Sequence, residues 1–373
     1  MHHKHPPLAR PALGHYARTE LAFVGSTCAR MEAIMTRWAE QLSNRYRCLL
    51  VTGEHAEPGV PVSLRYDRKH FTTNTASWNN FDDRLLGNQY DLALVNGNHY
   101  PATRQIVFVD EAKAETLVRR TDQLTDVAAI VLVATDRCPD WLQAHCAGQQ
   151  TPPRVVSLAE IDTLLPRLSA TLEAAVPPLQ ALILAGGRSE RMGEDKSQLV
   201  YRDGQTEVER LSALCGKLGL PVHLSVRNST SDRVTGDSPV VVDRFRGLGP
   251  AGAIASAFLA APDAAWLVLA CDLPLLDEAT LRRLITARRP DRLATAVRGP
   301  GKEWPEPLVA IYEPRAYQRL LQFLSLGYAC PRKLLINSAT EVVELDDGAP
   351  LTNANTPEER GRVLEGLRQP PQT

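Results

Sequence analysis

Along the whole chain, short apolar runs alternate with longer stretches in which apolar residues recur every three or four positions, and that rhythm predicts an α/β protein. Residues 21–24 and 48–51 read as strands closed by Gly25 and Gly53, with helical spacing over 31–42 between them, which makes a βαβ unit. Residues 92–95, 106–109 and 128–133 are further strand candidates. Several short buried strands separated by helical segments imply a largely parallel sheet with helices on both faces. Helical spacing at 158–172 is interrupted by Pro166, which kinks or divides that helix, and the prolines at 177 and 178 cannot continue it. A domain boundary is therefore expected at 176–179. Beyond it the pattern restarts with a strand at 181–185, a glycine loop, a helix at 207–218, strands at 222–226 and 240–242, a helix at 253–259 and a strand at 266–270. The reading is an extended arm at 1–19 and two three-layer α/β/α domains at 20–175 and 179–367, the second Rossmann-like with a mostly parallel sheet. No internal repeat links the halves.

Composition narrows the classes without choosing among them. Among 373 residues, 42 Lys and Arg stand against 43 Asp and Glu, so no global field favours nucleic acid or an anionic membrane. Neither is expected as a partner. The longest apolar runs, about eight residues, fall well short of the roughly 20 that span a bilayer. The amino terminus is basic but lacks the apolar stretch of a secretory signal, and the expected location is cytoplasmic. Seven dispersed cysteines without a CxxC pair argue for reduced thiols rather than a disulfide framework or a zinc site. His2, His3 and His5, interrupted by Lys4 and followed by prolines, read as a solvated tail with no ligand role.

The strongest chemical signal is LILAGGRSERMGEDK, from Leu182 to Lys196. An apolar strand runs through Leu184 and Ala185 into Gly186 and Gly187, and Arg188, Arg191 and Lys196 follow within a dozen residues. Glycines let backbone N–H groups approach an anion closely, and the cations supply the charge that a triphosphate demands. The loop has neither the GK[ST] ending of a Walker A loop nor the GxGxxG spacing of the dinucleotide fingerprint.

This segment resembles the signature LAGGxSxRMGxDK of the nucleotidyltransferases that make molybdenum-cofactor dinucleotides, and meets each of its fixed positions. Other branches of that fold tend to carry AAG, followed by a lysine next to proline. Here Gly186 and Gly187 follow Ala185, and Lys196 follows Asp195, which points to the guanylyltransferase branch. Four further elements follow in the family's order. Asp243, Gly249 and Pro250 resemble DxxxxxGPLxG, with the departure that Ala253 stands where the second glycine is expected. CDLP, with Asp272 ending an apolar strand, resembles CDxPxL. PEPLVAIY resembles PLxAxY, and NANTPE resembles NxNTPE. The likeness covers nearly the whole second half and implies a nucleotidyltransferase fold of that family.

The activity so implied is transfer of GMP from GTP to the terminal phosphate of molybdopterin, releasing pyrophosphate. A phosphate monoester is largely ionised near neutral pH, with a second pKa of about 6, so no strong base is needed. The protein must neutralise and align two mutually repelling anions. Magnesium suits that task, and Asp272 is the candidate metal ligand. By resemblance, Lys196 serves the α- and β-phosphates, and Arg191 serves the triphosphate or shapes the loop. Leu184, Ala185, Gly186, Gly187 and Gly249 border the nucleotide, and Asp243 accepts from guanine. Asn353 and Asn355 line the molybdopterin side, with Arg332 and Lys333 facing its phosphate. Plainer readings stand beside these. Thr356, Pro357 and two glutamates have the form of a helix start, and a dibasic pair opening a helix equally fits a solvated surface. Arg188 either joins the loop cations or is solvated, and Cys271 reads as a small buried residue.

The first half is less legible. The strand, loop and helix at 21–42 lie where a phosphate-binding loop would, and YDLALVNG at 90–97 resembles the DLVLVEG strand of the small GTP-binding partner of these enzymes. GSTCARME lacks GK[ST], and Asn96 replaces an acidic residue, so a degenerate P-loop-like domain without GTP hydrolysis is expected, serving docking, cofactor handover or shielding. An unrelated α/β domain is the alternative. For the whole chain, cytidylyl transfer to molybdopterin or nucleotidyl transfer to another phosphorylated acceptor, and a non-catalytic cofactor carrier that serves molybdoenzyme apoproteins, remain as competing functions.

Overall fold

The computed structural model describes residues 8–53, 62–66, 69–73, 79–185, 198–202, 204–227 and 238–368, of which 62–66 and 69–73 are described by their backbone. The chain divides into two compact units, one of them Ala12–Val176 and the other built on the residues from Pro177 onward. The turn prolines of the sequence lie at that junction.

In the first unit the strands are β1 (Thr19–Val24), β2 (Cys48–Val51), β3 (Val62–Tyr66), β4 (Lys69–Thr73), β5 (Leu92–Asn96), β6 (Gln105–Asp110), β7 (Val127–Val133) and β8 (Arg154–Ser157). Six of them form one sheet in the order β2-β5-β1-β6-β7-β8, every pair parallel, while β3 and β4 make a separate antiparallel pair. Helix α1 (Cys28–Leu42) begins three residues earlier than its apolar spacing, because the Thr27 side chain accepts from Arg30 N and closes the first turn. It buries Met31, Ile34, Met35, Trp38 and Leu42, the stripe expected of a helix on a sheet. The other helices here are α2 (Asn80–Gly87), α3 (Ala114–Val118), α4 (Asp140–Cys146) and α5 (Leu165–Ala174). The helical stretch that Pro166 interrupts resolves into a 3-10 segment, Leu158–Leu164, followed by α5 with the proline in its first turn. Tyr16 and Ala17 are buried against Ala22, Ala93 and Val95, so the stretch leading into β1 packs on the sheet.

The second unit is built on β9 (Leu179–Leu184), β10 (Val200–Arg202), β11 (Gln205–Thr206), β12 (Val222–Val226), β13 (Val240–Val242), β14 (Ala265–Ala270), β15 (Ala294–Arg298), β16 (Val309–Tyr312) and β17 (Thr340–Glu344). Seven strands form a sheet in the order β13-β12-β9-β14-β16-β15-β17, all parallel except β16, which runs against both neighbours. Its helices are α6 (Glu207–Lys217), α7 (Pro250–Ala260), α8 (Glu278–Thr286), α9 (Arg315–Ser325), α10 (Pro331–Ile336) and α11 (Pro357–Arg368). Two large clusters cover opposite faces of the sheet. Leu182, Trp266, Val268 and Tyr312 pack beneath α7 and α9, and the alternate residues Ala181, Ile183, Leu267 and Ile311 pack beneath α6 and α8. That alternation along single strands is what makes each strand read as a continuous apolar run. Helix α7 is buried from Ala251 to Phe258, which its small side chains allow by letting the backbone approach the sheet.

Candidate active site at the carboxyl edge of the second sheet

In an open α/β sheet, ligands sit outside the carboxyl ends of the strands where the strand order reverses. In the second unit, chain order runs from β9 outward to β12 and β13, then returns to the other side of β9 with β14. The reversal lies between β9 and β14, and the register pairs Leu184 with Ala270, so both strands end at one level. Ala185, anchored by its N–H to Ser225 O at 3.1 Å, opens the glycine loop there, and Asp272 lies two residues beyond the end of β14. Gly186, Gly187, Arg188, Arg191 and Lys196 lie outside the described residues.

Asp272 sits on a turn held from three directions. Arg210 of α6 forms a two-pronged ion pair with Glu207, Nε to Oε1 at 2.9 Å and Nη2 to Oε2 at 2.8 Å. It also donates to Leu276 O at 2.7 Å and Leu273 O at 3.1 Å, so a buried guanidinium grips both ends of the segment after Asp272. Arg202 of β10 donates to Pro274 O at 2.5 Å. Ala354 N donates to Asp272 O at 2.9 Å, which ties the NANTPE segment to the same turn. Asn353 and Asn355 therefore flank a residue bonded to the Asp272 backbone. The helix start inferred there is also real: Thr356 accepts from Glu359 N at 3.2 Å while Glu359 accepts from Asn355 N at 2.7 Å. Capping falls to Thr356 and Glu359, and Asn353 stays exposed.

Asp243 directly follows β13 at the same carboxyl edge, three strand positions from β14. At about 4.8 Å per strand that is a lateral separation of about 14 Å from the Asp272 strand. Asp243 Oδ1 accepts from Phe245 N at 2.8 Å and lies 3.1 Å from Ser256 Oγ, which itself accepts from Arg244 N. One carboxylate oxygen thus shapes the turn. The backbone at Gly249 has φ of +57°, open to glycine and strained for other residues, and Pro250 then starts α7. The departure at Ala253 does not disturb this geometry. Ala253 N closes an ordinary helical bond to Gly249 O, and the close approach falls one residue earlier, where a Cβ on Gly252 would come within 2.3 Å of Phe245 O.

Glu306 belongs to this edge and was not singled out by its residue type or spacing. It precedes β16, whose antiparallel course opposite β14 brings Val309 beside Leu269. Its side chain is 21% exposed, and burial, reinforced by the charge of Asp272, raises its pKa, while Leu308 N and Arg332 oppose the rise. Arg332 Nη2 reaches Glu306 Oε2 at 3.4 Å, and Glu306 is the group whose pKa the Asp272 charge raises. Lys333 goes elsewhere, its Nζ 4.9 Å from the centroid of the Tyr328 ring. The two cations of the pair thus meet different neighbours.

The first unit has its own reversal between β1 and β6, and its contents differ. Gly25, with φ of +97°, opens the loop to α1, and a Cβ there would strike Phe108 O at 2.4 Å. Asp110, at the end of β6, accepts from Ser26 Oγ at 2.5 Å and from Arg30, which also donates to Ser26 Oγ at 2.9 Å. A carboxylate thus engages the groups that would otherwise face an anion. Asn96 is buried and donates to Glu32 Oε1 at 2.7 Å. Among the described residues no cluster of three or more His, Cys, Asp or Glu side chains is arranged to hold a metal, and no helix is long and apolar enough to cross a membrane.

Comparison with known proteins agrees with the second unit. A family model described as the MobA-like NTP transferase domain matches residues 181–342. The molybdenum cofactor biosynthesis bifunctional protein of Synechocystis is 31% identical over 201 residues, covering 54% of this chain and 58% of that protein, so this chain spans little more than half of that relative's length. The molybdenum cofactor guanylyltransferase of Pseudomonas paraeruginosa is 31% identical over 195 residues, covering 50% of this chain and 94% of that protein. Among solved structures, molybdopterin-guanine dinucleotide biosynthesis protein A from Archaeoglobus fulgidus is similar at 20% identity and a TM-score of 0.43, over 50% of this chain and 98% of that one. On the strength of the relative that it covers almost from end to end, the chain belongs to the MobA-like nucleotidyltransferases.

Proposed function

We propose that the second unit transfers GMP from GTP to the terminal phosphate of molybdopterin, releasing pyrophosphate, in molybdenum cofactor biosynthesis. The observation that carries this is the convergence, at one sheet reversal, of the strand leading into the glycine loop, the Asp272 turn and the NANTPE segment bonded to it. The nucleotide would lie along the edge from Asp243 to Asp272. Asp243 would offer its second oxygen to guanine, and Lys196 and Arg191 would meet the phosphates from the loop. Leu184, Ala185, Gly186, Gly187 and Gly249 would border the nucleotide through backbone. Asn353, Asn355 and Arg332 would face the acceptor.

The attacking phosphate is already ionised, so these residues need to align and neutralise rather than abstract a proton. A magnesium ion fits what is present. It binds through one or two carboxylates and otherwise through waters and phosphate oxygens, so the small acidic set of Asp272 with Glu306 nearby suffices without a protein cage. When bound, it supplies charge neutralisation at the reacting phosphates. Asp272 would hold it, and Arg332 balances Glu306.

The first unit is read as a degenerate P-loop-like domain that docks a partner such as a molybdoenzyme apoprotein, hands over cofactor or shields it. The internal engagement of Ser26 and Arg30 by Asp110 favours a role without GTP hydrolysis. The test of the main reading is pyrophosphate release with magnesium and molybdopterin, comparing GTP, CTP and ATP. Selective release with GTP supports it. Release with CTP moves the function to cytidylyl transfer, and silence with all three, with finished cofactor still bound, makes the protein a carrier.

A further inference from the structure

Beside the Asp272 turn lies a polar group that the roles above leave unused. Tyr201, on β10 directly after the glycine loop, is 6% exposed, and its hydroxyl has no hydrogen-bond partner among the described residues. Its ring packs with Leu199, Ala354 and Val363, so it touches the segment that is bonded to Asp272 O. Arg360, one turn into α11, places its guanidinium carbon 5.8 Å from the ring centroid. The phenol is near enough to Glu207 and Asp272 for both charges to raise its pKa, and with burial as the larger cause it reaches about 12, so the group is a neutral O–H donor. Glu207 is already answered by Arg210.

A buried hydroxyl without a partner costs free energy, and phenylalanine would fill the same space without that cost. The unanswered hydroxyl points to a ligand that completes it. The neighbours decide the class. A donor O–H beside an arginine, at the edge of a turn whose backbone holds the NANTPE segment, suits an oxygen that carries negative charge.

We propose that Tyr201 and Arg360 form an oxyanion site for the phosphate group of the acceptor, the phenol donating to a non-bridging oxygen and the guanidinium supplying charge. The site lies on the acceptor side of Asp272, opposite the Asp243 end of the edge. The identity of that phosphate as the acceptor's rests on the nucleotidyl-transfer reading; the existence of the site does not.

Tyr201→Phe keeps the ring over Arg360 and removes only the hydroxyl, and Arg360→Gln removes the charge. Binding of inorganic phosphate to the full chain, measured by calorimetry, needs no turnover. The wild type should bind, and each variant should bind about tenfold more weakly, with Tyr201→Phe unfolding at the same or a higher temperature than wild type. In the pyrophosphate-release assay, Tyr201→Phe should raise KM for molybdopterin about tenfold and leave KM for GTP within twofold. Equal phosphate binding by wild type and Tyr201→Phe, or no phosphate binding by wild type, overturns the site. If phosphate binding falls as expected while wild type releases no pyrophosphate with any nucleotide, the site stands and the transfer reading fails. A rise in KM for GTP instead would place the hydroxyl on the donor and overturn its assignment to the acceptor.

Discussion

Replacing Arg210 with methionine tests whether the Asp272 turn is held by a buried charge. Arg210 and Glu207 have side chains 9% and 1% exposed, so solvent screens the pair little. The substitution removes two charged bonds to Glu207 and two to the carbonyl oxygens of Leu273 and Leu276. It leaves a carboxylate buried without a counter-charge, a change that costs about 3–5 kcal/mol. Against a total of about 5–15 kcal/mol for a domain, that removes a large fraction of its stability. The double variant Arg210→Met with Glu207→Met removes both charges, and well-packed apolar replacements of buried pairs are often neutral or better. It loses only the two carbonyl contacts, so it should recover at least about 2 kcal/mol relative to Arg210→Met. Urea unfolding followed by hydrogen exchange of peptides from β14 through the Asp272 turn isolates the second unit from the first. A loss below about 1 kcal/mol in Arg210→Met would refute the claim that the ion pair is desolvated. A double variant no more stable than the single one would show that the carbonyl contacts, not the stranded carboxylate, carry the cost.

Four other changes probe the site and its frame. Asp272→Asn should lower pyrophosphate release at least a hundredfold, roughly the scale of losing one electrostatic group in an active site, with the unfolding transition unchanged. Asp243→Ala should erase the preference for GTP over CTP; unchanged selectivity would remove it from base recognition. Gly249→Ala, which forces a side chain onto a backbone at φ +57°, should cost about 1–3 kcal/mol by denaturant unfolding. His223 packs edge-on against Trp266, and burial lowers its pKa from 6.5. Below pH 6.5 the unfolded chain binds a proton that the folded chain refuses, so stability is full above that pH and declines as pH falls toward the folded value. His223→Leu should flatten that decline in stability profiles between pH 7 and 5.

The layered architecture was legible because parallel strands covered on both faces leave continuous apolar runs, as at residues 92–95 and 266–270. Boundaries slipped where a cap or a proline extends an element past its apolar spacing, as Thr27 does for α1 and Pro250 for α7. The strands β15 and β17 escaped notice for a different reason. Glu341 and Glu344 flank the apolar pair of β17, and Thr295 and Arg298 break the run of β15, so neither segment carries the uniform pattern that marked the central strands. Propensity was weak there, and pairing within the sheet decided the outcome. At the turn before α7 the motif departure at Ala253 says less than the backbone does, because the contact between Gly252 and Phe245 O depends on how the loop after Asp243 folds back onto α7.

Glu306 reaches the site edge from a position that the linear sequence does not mark. The rule that ligands gather after parallel strands picks out the candidates Asp243 after β13 and Asp272 after β14, since those strands all point their carboxyl ends at one edge. β16 runs the other way between β14 and β15, so the same edge receives the residues that precede it. Pro305, Glu306 and Pro307 are therefore at the level of the Asp272 turn although they stand on what the sequence presents as the entry side of a strand. The hydrogen bond from Ala270 N to Leu308 O fixes that level. A carboxylate there needs a cation, and α10 delivers Arg332 from a segment 26 residues later. Neither partner is conspicuous alone: a glutamate between prolines reads as a turn, and an arginine opening a short helix reads as surface. One reversed strand converts the two into a charged pair beside Asp272, because in a mixed sheet the residues that precede an antiparallel strand reach the same edge as those that follow the parallel ones.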